Sequence, residues 1–137
     1  MKEIQLYEYP VKILLALEMA IAGNKDFFNW LFNNGYPELA ALSNAIRGNT
    51  KAIDWLMKNG FMHFAAFDAA SVDDEGAMKW LKKEGHEFLI TLANACRGQQ
   101  EAINELHRQD LEIFVRIAFR IKLFADGQTF DYHRSPF

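Results

Sequence analysis

Tryptophan returns every 25 residues, at Trp30, Trp55 and Trp80, each followed by leucine and, five positions on, by Gly35, Gly60 or Gly85. The same step relates Ala20, Ala45, Ala70 and Ala95; Leu17, Leu42, Phe67 and Leu92; and Gly23, Gly48 and Gly98, with Asp73 in the odd position. A repeat of this size is one supersecondary unit that cannot bury its own apolar face and has to stack on its neighbours. The units run 12–36, 37–61, 62–86 and 87–111.

Each unit reads as two short helices. In the second unit Leu39, Leu42 and Ile46 fall at helical spacing, with Ala41 and Ala45 as a small-residue track beside them. Gly48 stands where a left-handed C-terminal cap is wanted, and Asn49 or Thr50 can accept hydrogen bonds from the N–H groups that open the next helix. That helix carries Ala52, Ile53 and Leu56 on one face and ends at Gly60. Lys58 in its last turn suits the negative end of the helix dipole. The spacing therefore predicts an all-α chain: a single domain over 1–137, wound as a right-handed αα-hairpin superhelix, with about four two-helix repeats and a C-terminal capping helix.

The ends depart from the register, as the ends of a solenoid must. Residues 1–11 are expected to cover the exposed face of the first unit through Ile4, Leu6, Tyr7 or Tyr9. In the fourth unit Glu105 replaces tryptophan and Asp110 replaces glycine. Residues 112–124 read as a capping helix with more apolar side chains than one face can hold. Phe114, Phe119 and Phe124 are its candidates for exposed aromatic surface and for a homodimer contact. Residues 125–137 show turn residues without periodicity and are expected to be irregular, packing back through Phe130 or Tyr132 or else hanging free.

Over residues 12–111 the units resemble ankyrin repeats, on the strength of an Ala- and Leu-rich first helix, a Gly-containing turn, and a second helix of the form seen from Ala52 to Gly60 and from Ala77 to Gly85. The likeness is helical only. An ankyrin unit has about 33 residues and a T-P-L-H opening. Here the connections around Gly35, Gly60 and Gly85 are too short for a projecting finger, and Pro37-Glu38-Leu39 is the nearest approach to the opening motif. The resemblance implies stacked helix pairs and, by analogy, recognition of another protein.

Chemistry is sparse. The net charge of −3 does not suit a protein that coats a polyanion. The single cysteine, Cys96, excludes an internal disulfide framework and takes the slot of Ile21, Ile46 and Ser71, a small buried helix position. His63, His86, His107 and His133 have no metal-ligand spacing and read as solvated residues of turns and tail. Asp73, Asp74 and Glu75 stand where carboxylates cap the next helix. No nucleophile, base and orienting group can be assembled, so no enzyme, metal or cofactor is expected. The apolar run from Val11 to Ala22 contains Lys12 and Glu18 and is too short to span a bilayer, so the expected setting is the cytoplasm with no membrane partner.

The remaining candidate is the solvent stripe of the first helices, expected to line a concave face. Its polar members are Glu18, Asn44, Arg47, Asp68, Asn94 and Arg97. Their mixture with small apolar residues suits an adaptable protein-binding surface, with arginine able to bind carboxylates and stack on aromatics. The tryptophans are expected to stack unit on unit. A nucleic-acid-contacting solenoid is the alternative, with Arg47, Arg97, Arg108, Arg116, Arg120 and Lys122 tracking phosphates. The acids of the stripe weigh against it.

Overall fold

The computed structural model describes residues 3–134, with side chains described through residue 127. Among these residues there is no strand. A short 3-10 turn at Leu6–Glu8 precedes α1 (Val11–Ile21), α2 (Lys25–Asn33), α3 (Pro37–Ile46), α4 (Thr50–Lys58), α5 (Met62–Ser71), α6 (Glu75–Lys83), α7 (Glu87–Cys96), α8 (Gln100–Arg108) and α9 (Glu112–Arg134). The odd-numbered helices are the first helices of the units and the even-numbered ones the second. Asn24, Asn49 and Asp74 accept backbone N–H bonds at the starts of α2, α4 and α6. Gly48 holds the left-handed backbone between α3 and α4, with φ +96°. Asp73 and Asp110 adopt the same conformation in glycine slots, at φ 72° and 57°.

Burial sorts the helices into two classes. Each of α1, α3, α5 and α7 buries at least five side chains, whereas α2, α4, α6 and α8 bury one or two, always including Leu31, Leu56, Leu81 or Leu106. The helices buried on more sides lie inside. Each packs on the next, α1 on α3, α3 on α5, α5 on α7 and α7 on α9, and α9 also packs on α1. The five first helices therefore close into a ring. Each second helix bridges its own first helix and the following one, and the second helices make no substantial contact with one another. Ala20, Ala45, Ala70 and Ala95 are almost wholly buried, as a small-residue track between close helices requires.

Two expectations about the ends change. First, α9 starts 25 residues after α7, and Phe114, Ile117, Ala118 and Ile121 take the slots of Leu89, Leu92, Ala93 and Cys96, all buried. It is the first helix of a fifth unit. It does not stop near Phe124 but continues to Arg134, so the chain predicted as irregular from 125 is helical as far as the described residues go. The packing expected of Phe130 and Tyr132 lies outside the described side chains.

Second, residues 3–9 do not sit on the first unit alone. They run across the N-terminal ends of α3, α5 and α7, where several apolar side chains would otherwise meet water. The Tyr9 hydroxyl donates to Glu38 Oε2 at 2.7 Å, His63 Nε2 donates to the Ile4 carbonyl at 2.7 Å, and Tyr7 meets the edge of Phe88 at 5.2 Å between ring centroids. Leu6 is buried beneath this strap.

The tryptophans repeat one geometry. Each stacks on the ring six residues later, Trp30 on Tyr36 (6.2 Å), Trp55 on Phe61 (6.2 Å) and Trp80 on His86 (5.7 Å), with planes within 16° of parallel. The contact joins the end of each second helix to the start of the next unit.

Candidate functional site

Ring closure redistributes the six polar residues expected to share a concave face. Glu18 is only 3% exposed, and its two oxygens accept Arg116 Nε at 2.9 Å and Arg120 Nε at 3.0 Å. A buried carboxylate needs such partners, because an unpaired charge out of water is costly. Arg120 occupies the slot where the other first helices carry alanine. One interaction thus joins the first helix of the chain to the last.

Arg47 and Arg97 are tied down by a shared device. Arg47 Nη1 donates to the Ile21 carbonyl at 3.0 Å, with its guanidinium 4.9 Å from the centre of the Phe124 ring, and Arg97 pairs with Asp73 at 2.8 Å. Lys122, a further 25 residues on, lies over Gly98. Each of these cations reaches back to the turn that ends the preceding first helix. They staple units together and do not form a contact stripe.

Asn44 and Asn94 are half-buried in grooves beside the second helices. Asn44 borders a groove with Asn24, Phe28 and Asn29, and Asn94 borders one with Gln99, Asn104 and Arg108. These two asparagines therefore face outward beside second helices. The expected concave face does not bring these six residues together, since a ring of five first helices turns their most apolar sides toward one another.

Asp68 faces inward at the C-terminal ends of the first helices. A cavity of about 470 Å³ opens there, and Ile46, Ser71, Cys96 and Ile121, equivalent residues of four first helices, line it together with Asp68 and Phe124. Burial pushes the Asp68 carboxyl up to about 7. Burial also raises the Cys96 thiol far above its ordinary range, with the nearby Asp68 charge adding to it, so this cysteine is an unreactive core residue as expected.

At the opposite end two histidines overturn the reading of solvated turns. His63 and His86 are buried and stack on each other at 5.2 Å. His86 takes the slot of Tyr36 and Phe61 and serves as the aromatic partner of Trp80, which the register could have shown. The Glu3 carboxylate lies 3.8 Å from His63 Nδ1 and 3.4 Å from His86 Nε2, and neither nitrogen has a hydrogen-bond partner. Burial lowers the His63 pKa, against the opposing pull of the Ile4 carbonyl and Glu3, with the His86 charge lowering it further. His107 is exposed and pairs with Glu112 at 2.6 Å. The side chain of His133 lies outside the described residues.

The three aromatics expected to drive self-association separate. Phe114 is a core residue, Phe124 is half-buried beneath Arg47, and Phe119 is 64% exposed on the outer side of α9. Among the described residues no group of three or more His, Cys, Asp or Glu side chains could hold a metal, and no helix is long and apolar enough to cross a membrane.

Comparison with protein-family models, curated proteins and solved structures finds no match for this chain.

Proposed function

We propose that this chain is a non-enzymatic protein–protein interaction module of the cytoplasm, built from about four ankyrin-like two-helix units whose right-handed winding is closed by a further first helix, α9. It works through the outer grooves between first and second helices. The observation that carries this reading is the groove of the first unit. There Phe27 and Trp30 of α2 stand exposed over Lys12 and Ala16 of α1 and enclose about 390 Å³. The other units have alanine in the slot of Phe27, at Ala52, Ala77 and Ala102. The repeat does not need a phenylalanine there, and an aromatic anchor in a cleft is what binding energy concentrates on. Asn44 and Asn94 add polar contacts, since neither side chain makes a hydrogen bond within the described residues.

The nucleic-acid alternative finds its cations already beside internal partners. Arg47 bonds the Ile21 carbonyl, Arg97 pairs with Asp73, Arg108 with Glu105, Arg116 and Arg120 with Glu18, and Lys122 with Asp126. The carboxylates among these partners oppose the approach of phosphate, which weighs against that alternative.

Affinity capture from the source cells tests the proposal. Phe27→Ala installs the residue that the other units tolerate, so folding is expected to survive. Capture of the partner should fall at least about tenfold, the effect of losing a central aromatic anchor. Capture unchanged in Phe27→Ala, and also in an Asn44→Arg, Asn94→Arg double variant, would overturn the reading.

A further inference from the structure

Among the described residues, four of the five junctions around the ring are covered on the outside by a second helix, and the fifth is not. α2, α4, α6 and α8 each lie across two successive first helices, whereas α9 continues as a helix to Arg134 and no described element crosses from α9 to α1. The burial pattern records the vacancy. Leu15 is 38% exposed on α1, whereas on α3, α5 and α7, which have a preceding second helix, the equivalent Ala40 and Ala65 are 1% and 8% exposed and Ile90 is half-buried. Val11, one turn before Leu15, is exposed, and so is Phe119 on the facing helix. Arg116 and Arg120 stand beside Phe119 and reach Glu18, one turn after Leu15. The junction is a groove with an apolar wall on α1 and a mixed aromatic and basic wall on α9.

We propose that this groove docks an acidic amphipathic helix of a partner protein. The chain itself shows what fills such a position. Phe27, Phe28 and Leu31; Ala52, Ile53 and Leu56; Ala77, Met78 and Leu81; and Ala102, Ile103 and Leu106 give the same spacing on nine-residue helices at the other four junctions. The incoming helix presents that apolar triad to Val11, Leu15 and Phe119. Its acidity follows from the wall on α9. Where α3, α5 and α7 place small residues, α9 places Arg116 and Arg120, each giving Glu18 only its Nε donor, so the outer guanidinium nitrogens remain for carboxylates. Two arginines against one glutamate leave the groove positively charged. A second copy of this chain meeting it groove to groove would set these arginines against their like and is disfavoured as the occupant.

This inference rests on the interaction-module reading and names a different surface for it. The probe is a fluorescent peptide of about 18 residues, long enough to hold a helix, with the Ala-Ile-x-x-Leu triad of α4 on one face and glutamates on the other. A matched peptide has lysines for the glutamates. Fluorescence anisotropy on the full chain should show the acidic peptide binding and the lysine peptide not. Phe119→Glu on one wall and Leu15→Glu on the other should each weaken binding about tenfold or more, and one of them suffices if the other fails to fold. Phe32→Ser, on the exposed side of α2, should change nothing. The proposal is overturned if the acidic peptide does not bind, if the lysine peptide binds equally, if neither wall variant weakens binding, or if sedimentation shows a dimer that Phe119→Glu dissociates. Should it fall while Phe27→Ala still abolishes capture from cells, the interaction module stands and only this groove is excluded.

Discussion

At the N-terminal ends of the first helices a strap crosses the ring, burying Leu6 and giving Glu38 and His63 hydrogen-bond partners from Tyr9 and Ile4. At the C-terminal ends the ring stays open enough for a cavity of about 470 Å³ beside Asp68, and the cations above it are taken up by Ile21, Asp73 and Asp126. Both ends bury ionisable groups within one fold. The covered end holds a histidine, His63, whose burial favours the neutral ring, while the open end holds a carboxyl whose burial favours the protonated form. The two ends should therefore respond oppositely to acid, and differently to the loss of a side chain.

The largest expected contrast is in packing. Leu6→Ala should cost about 2–5 kcal/mol, because truncating a fully buried leucine loses transfer energy and leaves a void. Val72→Ala, beside the cavity but exposed, should cost less than about 0.5 kcal/mol. Urea midpoints of the two variants check this, and equal losses would show that the strap is peripheral.

Next comes the Asp68 titration. Its pKa rises from an ordinary value of about 4 to about 7 in the folded chain, so between those limits the folded state holds a proton that the unfolded state has released. The stabilisation contributed by this group should be complete below about pH 4 and be lost as pH rises through 7, on the order of 4 kcal/mol. Asp68→Asn should abolish that fall and stabilise the protein at pH 8. An unchanged pH profile in the variant would place the carboxyl in contact with bulk water.

A change of opposite sign belongs to the covered end. The His63 pKa is lowered, so its contribution is complete above the ordinary histidine pKa of about 6.5 and is lost as pH falls below it, when the unfolded chain takes up the proton first. The difference in urea midpoint between wild type and His63→Gln should therefore narrow on acidification from pH 7 to 5. A constant difference would mean that His63 does not titrate with unfolding.

The smallest effect lies in the turns. Asp110 holds a left-handed backbone at φ 57°, so Asp110→Gly should stabilise by about 1 kcal/mol. Asp73→Gly should gain less, because it also removes the pair with Arg97. A thermal melt distinguishes the two.

Much of the fold could be read from the 25-residue period: the turns that separate α1 to α8, the alanine track, and which leucines of the repeat slots are core, though not the end of α9. Ring closure was harder to read. The same period fits an open solenoid or a ring, because curvature depends on side-chain sizes at each junction and not on the repeat length. The fifth first helix was in register at Phe114, Ile117, Ala118 and Ile121, but without a following Gly turn and Trp-Leu pair it read as a cap with surplus aromatics. Asn44 and Asn94 lie half-buried beside second helices, because ring closure removes the concave side on which the spacing alone would set them. For Glu18 the missing information was a partner about 100 residues away, at Arg116 and Arg120, which no local pattern reveals.

That long-range pair alters how the repeats share their stability. In an open array each unit leans only on its neighbours, and the terminal units fray first while the middle holds. A hoop has no terminal stave. With α1 locked to α9 through Glu18, loosening either end breaks contacts with both ends of the sequence at once, so unfolding becomes a single cooperative event and folding has to wait for the chain's extremities to meet.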